Sequence, residues 1–334
     1  MRIARTLQEA DAFGPTAVAI GNFDGIHIAH RELLSAVSRA AREHALAPSV
    51  LMFDPHPATI VAPHRVPKLL STPGERCSLM AREGIEHVLI LPFTIAVSRW
   101  TPREFVERVL AKAFHAKAVI VGENFRFGHG QAGNTRVLAE LGTHFGFETH
   151  IVNAVSLRGR VVSSSEIRRA IEAGKMTLAG RMLGRPYSVT GAVVAGHGIG
   201  SKQTVPTLNL KTPAQVIPKT GVYITRTFDA APGSGNDASR WNSITNVGYR
   251  PTFENPASQE KAANELTIET FLLSPFTPPA PERIRVEFLH RLRDERKFES
   301  PEALKAQILR DVARTQVFFR RAAALMRERE ESLQ

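Results

Sequence analysis

Apolar residues in the first half of the chain come in short runs, at 17–20, 50–53, 87–91 and 119–121. Such runs are too short for buried helices and predict buried strands. Between them, residues 29–43, 102–114 and 135–145 place apolar side chains three and four positions apart, the spacing of amphipathic helices. Strands alternating with helices predict an α/β domain with a parallel sheet covered on its faces. Ligands of such sheets bind beyond the carboxyl ends of the strands, so the loop after Ile20 is the first place to look for chemistry.

The pattern changes near Gly184. Residues 187–195, 221–228, 241–247, 265–273 and 285–289 alternate apolar and polar, separated by turn-forming clusters such as Ala231-Pro-Gly-Ser-Gly-Asn-Asp237. Short alternating strands predict an antiparallel barrel or sandwich. The chain then offers Leu304, Ile308, Val312, Phe319 and Met326 at helical spacing, a stripe expected to pack. Ser300 followed by Pro301 suits the start of that helix. Two domains follow, 1–183 and 184–334.

Composition narrows this picture. The chain has 334 residues, 43% hydrophobic and 22% charged, as a well-filled globular protein has. A single cysteine, Cys77, excludes an internal disulfide and a cysteine-based zinc cluster, and fits a reducing cytoplasm. No apolar run suits a signal peptide or a membrane span. The net charge is +11. Because acidic residues interleave with the Arg and Lys of 283–329, the basic balance suits a solvated helix face or phosphate-bearing ligands better than a nucleic-acid arm.

Gly21-Asn-Phe-Asp-Gly-Ile-His-Ile-Ala-His30 follows the first strand. Its glycines allow close backbone approach to a ligand. His27 and His30, three apart at a helix start, face one side, where backbone N–H groups already favour an anion. A bare His-x-x-His is more often two unrelated surface histidines. The whole segment, however, resembles the GxFDGxHxGH signature of the FAD synthetase branch of the HxGH nucleotidyltransferases, with Ala29 in place of a glycine. Phe53-Asp-Pro-His-Pro57, Val121-Gly-Glu-Asn-Phe-Arg-Phe-Gly128 and Val162-Ser-Ser-Ser-Glu-Ile-Arg168 resemble that family's F-x-PHP, VGxxFxFG and ISSTxIR motifs in the same order. The resemblance implies a Rossmann-like nucleotidyltransferase domain that adenylylates FMN with ATP. It implies ATP and phosphate contacts from Gly21, Phe23, Gly25, His27, His30, Asn124, Ser164, Ser165 and Arg168. Asp24 is expected to orient the loop, and His56 is read equally as a rigid turn or a functional residue.

The second half resembles riboflavin kinase. Leu183-Gly-Arg-Pro-Tyr187 resembles the entry to that domain, Pro206-Thr-Leu-Asn209 its PTAN, and Asn246-Val-Gly-Tyr-Arg-Pro-Thr-Phe253 its NIGxRPTF. Leu266-Thr-Ile-Glu-Thr-Phe-Leu-Leu273 resembles the strand bearing the catalytic glutamate, and Arg291-Leu-Arg-Asp-Glu-Arg-Lys-Phe298 the RxExKF segment. The resemblance implies magnesium and ATP phosphates held by Thr207 and Asn209, with Glu269 as the base for a ribityl hydroxyl. Strand alternation puts Glu269 opposite Leu266, Ile268 and Leu272. The chain departs from the family's glycine-rich flap at Ile199, Ser201, Thr204 and Leu208, and the larger Leu208 is expected to reshape the nucleotide pocket. Riboflavin, FMN and ATP are the implied small-molecule partners, with no membrane partner. Three readings stay open: one enzyme with both activities, an FAD synthetase with a silent barrel, and a flavin- or RNA-binding protein without activity.

Overall fold

The computed structural model describes residues 1–194, 207–212, 215–231, 239–250, 265–275 and 280–331. Ile199, Ser201 and Thr204 of the altered flap lie outside them. The chain divides into two compact units, Met1–Ile167 with Met182–Gly184, and Arg168–Arg181 with Arg185–Gln334.

The first unit holds six parallel strands: β1 (Arg2–Ala4), β2 (Thr16–Ile20), β3 (Ala47–Phe53), β4 (His87–Leu91), β5 (Ala116–Gly122) and β6 (Glu148–Val152), in the order β1-β4-β3-β2-β5-β6. β2 is buried along its whole length because both its faces are covered. Val18 and Ile20 join one core with Leu51, Leu89 and Leu110. Ala17 and Ala19 join the other, and their small side chains admit Leu34 and Val37 of the Ile28–His44 helix. The helix expected over 102–114 begins as α-helix at Pro102–Phe105 and continues as a π-helix over Val106–Ala113, whose buried Val106, Val109, Leu110 and Ala113 hold it to the sheet. The edge strands β1 and β6 escape the apolar-run criterion because most of their side chains are not buried. A small hairpin, β7 (Ser156–Leu157) with β8 (Arg160–Val161), precedes the Ser164–Glu172 helix.

The second unit is a closed antiparallel barrel, which decides between barrel and sandwich. Its strands are β9 (Tyr187–Val194), β10 (Thr207–Lys211), β11 (Gly221–Asp229), β12 (Arg240–Arg250), β13 (Glu265–Leu272) and β14 (Arg283–Arg293), ordered β10-β13-β12-β11-β14-β9. Among its buried side chains, Thr227, Ser243, Thr225, Thr245 and Thr270 form a continuous run of hydroxyl hydrogen bonds of 2.8–3.0 Å. A hydroxyl both donates and accepts, so this chain satisfies five buried polar groups internally.

The final helix, Pro301–Glu331, is capped at Ser300, whose Oγ accepts from the Ala303 amide. The expectation that its apolar stripe packs holds only in part: Val312 and Phe319 are half-buried, with Arg226 of β11 over the Phe319 ring, but the other three are not. Leu304, Ile308 and Met326 are 42, 41 and 60% exposed. The buried line is polar instead: Gln307, Asp311 and Thr315. The cause is Arg293 of β14, whose guanidinium is 2.9 Å from Asp311, while Gln307 donates to the same carboxylate at 2.8 Å. The half-buried Arg293 pairs with a buried carboxylate, and that pair draws the polar line of the helix toward the barrel. Leu266, expected on the core face of β13, is likewise 37% exposed.

Candidate active sites

In the first unit the sheet order reverses at β2. The chain runs outward through β3 and β4 and returns to β5 on the other side of β2. A cleft of about 410 Å³ opens there, lined by Asn22, Phe23, His27, His30, Asn124, Ser163 and Ser164 among others. That is the place where open parallel sheets bind ligands.

The loop floor is held in unusual backbone geometry. Phe23 and Ile26 have φ of 49° and 38°, both fully buried, and Gly25 has φ of 88°. Left-handed conformations at a bulky and a β-branched residue are strained, and packing has to maintain them. Asp24 supplies much of that support. Its carboxylate accepts from the amides of Leu70 and Ser71 at 3.0 Å, the Ser71 hydroxyl at 3.2 Å and Arg76 at 3.2 Å. Arg76, equally buried, also donates to the carbonyl of Asn22. The carboxylate faces Arg76 and Ser71 beneath the loop, as its expected orienting role requires. A Cβ on Gly25 would come within 3.0 Å of Leu70, which ties that glycine to packing and backbone conformation.

His27 caps the Ile28–His44 helix, its Nδ1 accepting from the His30 amide at 3.3 Å. The two imidazoles stack, 3.6 Å between centroids and 15° between planes. Burial, then the neighbouring His27 and Arg76, hold His30 well below its ordinary pKa of 6.5. Its Nδ1 is shut off from solvent without a hydrogen-bond partner. Burial and the neighbouring positive charge thus favour the neutral ring, beside a helix start whose backbone N–H groups favour anions. Ala29 takes ordinary helical backbone in the first turn and places its methyl in the cleft wall.

Of the sequence-derived residues, the cleft lining brings together Phe23, Asp24, His27, His30, Asn124 and Ser164. Gly21, Gly25 and Ser165 are not in the lining; Ser165 is exposed in the first turn of its helix. Arg168 falls in the second unit. Ser164 donates to the carbonyl of Asp24 at 2.8 Å, joining its helix start to the loop. Three participants were missed: Asn22, Ser163 and Arg76. Ser163 was legible, since Ser163-x-x-Glu166 is a helix-start pattern and its Oγ accepts from the Glu166 amide at 3.2 Å. Arg76 lies 52 residues from Asp24 and has no local signal.

In the second unit, β13 lies between β10 and β12, and Glu269 is in register with Asn209 on one side and Asn246 on the other. Directly paired residues project to the same face, so the three form one transverse row. Thr207 shares that face, two residues along β10. Ile268, Thr270 and Leu272 are buried on the opposite face, which places Glu269 away from the core as alternation predicts. The same alternation corrects the expectation for Leu208. It is 5% exposed and pairs with the fully buried Thr270, so its side chain fills the barrel instead of the face carrying Thr207 and Asn209. Asn246 is the missed residue here; it stands in a recognised motif, but only strand register puts it beside Glu269.

Residues 10–166 match the FAD synthetase family model and residues 183–319 the riboflavin kinase family model. A bifunctional riboflavin kinase/FMN adenylyltransferase of Pseudomonas fluorescens is 32% identical over 88% of this chain and 90% of its own. The protein of the same name from Escherichia coli K12 is 30% identical over 90% of this chain and 92% of its own. Among solved structures, a Streptococcus pneumoniae protein described as a macrolide-efflux protein superposes with a TM-score of 0.80 at 28% identity, covering 94% of this chain and 98% of its own. No helix among the described residues is long and apolar enough to cross a membrane. With both family models in sequence order and relatives aligned over about nine-tenths of their length, the chain belongs to the bifunctional riboflavin kinase/FMN adenylyltransferase family.

Proposed function

We infer that the first unit joins FMN to the adenylyl group of ATP and that the second phosphorylates riboflavin. The observation that carries the first assignment is the stacked His27–His30 pair at a helix start in the switch-point cleft. A phosphate oxygen of FMN attacks the α-phosphorus of ATP. The bond from that phosphorus to the bridging oxygen breaks, and pyrophosphate leaves with the electron pair. The attacking phosphate is already ionised near neutrality, so the site needs donors and positive charge more than a base. His27, His30 and Asn124 supply donors, Ser164 brings the amides of its helix start to the cleft while its hydroxyl holds the Asp24 carbonyl, and His30 is poised to gain a proton as the triphosphate arrives. Ser165, in the same helix turn as Ser164, is a further phosphate ligand in this reading. Gly21, Phe23 and Gly25 shape the loop beneath.

In the second unit the ribityl hydroxyl of riboflavin attacks the γ-phosphorus of ATP, its proton passes to Glu269, and ADP leaves. A neutral alcohol gains from a general base where an ionised phosphate does not. Thr207 and Asn209 are oxygen donors on the face that carries Glu269. No cluster of three His, Cys, Asp or Glu that would hold a metal occurs among the described residues. The neutral oxygens of Thr207 and Asn209 suit magnesium, which keeps mostly phosphate and water ligands, and these two residues would hold it. Bound there, the ion would neutralise charge on the transferred phosphoryl group.

The test is to incubate the purified chain with magnesium, ATP and either riboflavin or FMN, and to separate the flavins by chromatography. FAD from both substrates, with FMN appearing first from riboflavin, is the expected result. FAD from FMN alone would leave the barrel silent, and absence of FAD from both would overturn the adenylylation assignment.

A further inference from the structure

Asn22 sits between the strained loop and the cleft, and its carboxamide end lies 3.1 Å from Nε2 of His56. On the other side of that ring, Nδ1 accepts from the Ala58 amide at 3.1 Å. A ring nitrogen that accepts a hydrogen bond carries no proton, so the neutral imidazole holds its hydrogen on Nε2. Nε2 is then a donor, and the atom of Asn22 that faces it has to be an acceptor. With the amide nitrogen there, two donors would confront each other; a half-turn of the carboxamide brings Oδ1 to His56. The NH2 group then occupies the other arm of the amide, which has no hydrogen-bond partner within the described residues. Asn22 lines the same cleft as His27 and His30.

We propose that Asn22 is a phosphate-binding donor of the adenylylation site, and that His56 is a positioning residue that fixes the polarity of its amide. The proposal rests on the adenylylation reading above. The backbone of Asn22 is held as well, since its carbonyl accepts from Arg76 at 3.0 Å. Side-chain direction and main chain are thus both set before a ligand arrives, which lowers the cost of aiming two N–H bonds at a developing phosphate charge. In the opposite orientation the cleft would see a carbonyl oxygen and repel the same phosphate. The Phe53-Asp-Pro-His-Pro57 segment thereby acquires a role at the cleft that its sequence left undecided.

The order of two substitutions tests this. Asn22→Asp preserves shape and the acceptor toward His56 but presents oxygen to the phosphates. Asn22→Ala removes the donor without adding repulsion. The proposal expects kcat/KM for FAD formation from FMN to fall on the order of 10² in Asn22→Ala, and further in Asn22→Asp. A merely structural asparagine gives the reverse order, because Asp keeps the hydrogen bond to His56, and that result overturns the proposal. In a His56→Phe background the amide is free to turn, so the difference between Asn22 and Asn22→Ala should shrink at least threefold; strict additivity removes His56 from the argument. Riboflavin phosphorylation by each variant checks that the chain is folded. Wild-type chain making no FAD from FMN would sink the adenylylation reading itself, whereas active wild type with the wrong variant order sinks only the role of Asn22.

Discussion

Asp24→Asn isolates the electrostatic part of the support beneath the phosphate loop. Asparagine is nearly isosteric, and its one oxygen can occupy the position that now accepts from Leu70, Ser71 and Arg76. What disappears is the negative charge opposite Arg76, in a pair whose side chains are 4% and 2% exposed, together with the second oxygen that accepts from the Leu70 amide at 3.0 Å. Removing one member of such a pair leaves an uncompensated buried cation and costs about 3–5 kcal/mol. Arg76 keeps its bonds to the carbonyls of Asn22 and Ser71, which places the expected loss near the lower end, about 3 kcal/mol. The double variant Asp24→Asn/Arg76→Met removes the stranded charge and should recover more than half of that loss. Urea unfolding, followed by a probe confined to the first unit, measures both. The reasoning predicts a lower midpoint with unchanged slope for the single variant. A loss below about 1 kcal/mol would mean that water reaches Arg76, and a double variant no better than the single would refute the stranded-charge account.

Three further outcomes follow. His30 has its pKa lowered by burial, so at pH 7 it is neutral in both folded and unfolded chains; below pH 6.5 the unfolded chain takes up a proton that the folded chain refuses, and stability falls with pH until the depressed folded value is reached. His30→Gln should flatten that acid slope in unfolding experiments between pH 7 and 5, and an unchanged slope would assign it to other groups. Glu269→Gln should lower FMN formation from riboflavin by 10² or more while sparing FAD formation from supplied FMN; a normal kinase rate removes Glu269 as the base. Leu208→Ala, a cavity in the barrel, should cost about 2–5 kcal/mol in stability of the second unit with little change in the KM for ATP, and the converse result would return Leu208 to the nucleotide site.

How much was legible in the sequence depended on whether the signal was local. The buried strands β2 to β5 were readable because each is an apolar run by itself, and the histidine pair because its two rings are one helical turn apart. β1 and β6 were not, because edge strands need little burial. The docking of the final helix was misread because its determinant, Arg293, belongs to another element, and a pattern count cannot weigh a distant guanidinium against nearby leucines. Arg76, and the place of Asn246 beside Glu269, were invisible for the same reason: each residue acquires its partner through tertiary pairing, Asp24 across 52 positions and Glu269 across a strand register. Leu208 shows the other side of the problem. Its neighbour Asn209 lies on the face that carries Glu269, and their place in one motif suggested a shared role. A strand sends adjacent side chains to opposite faces, so the residue beside a catalytic position is the one whose substitution should be felt in the core.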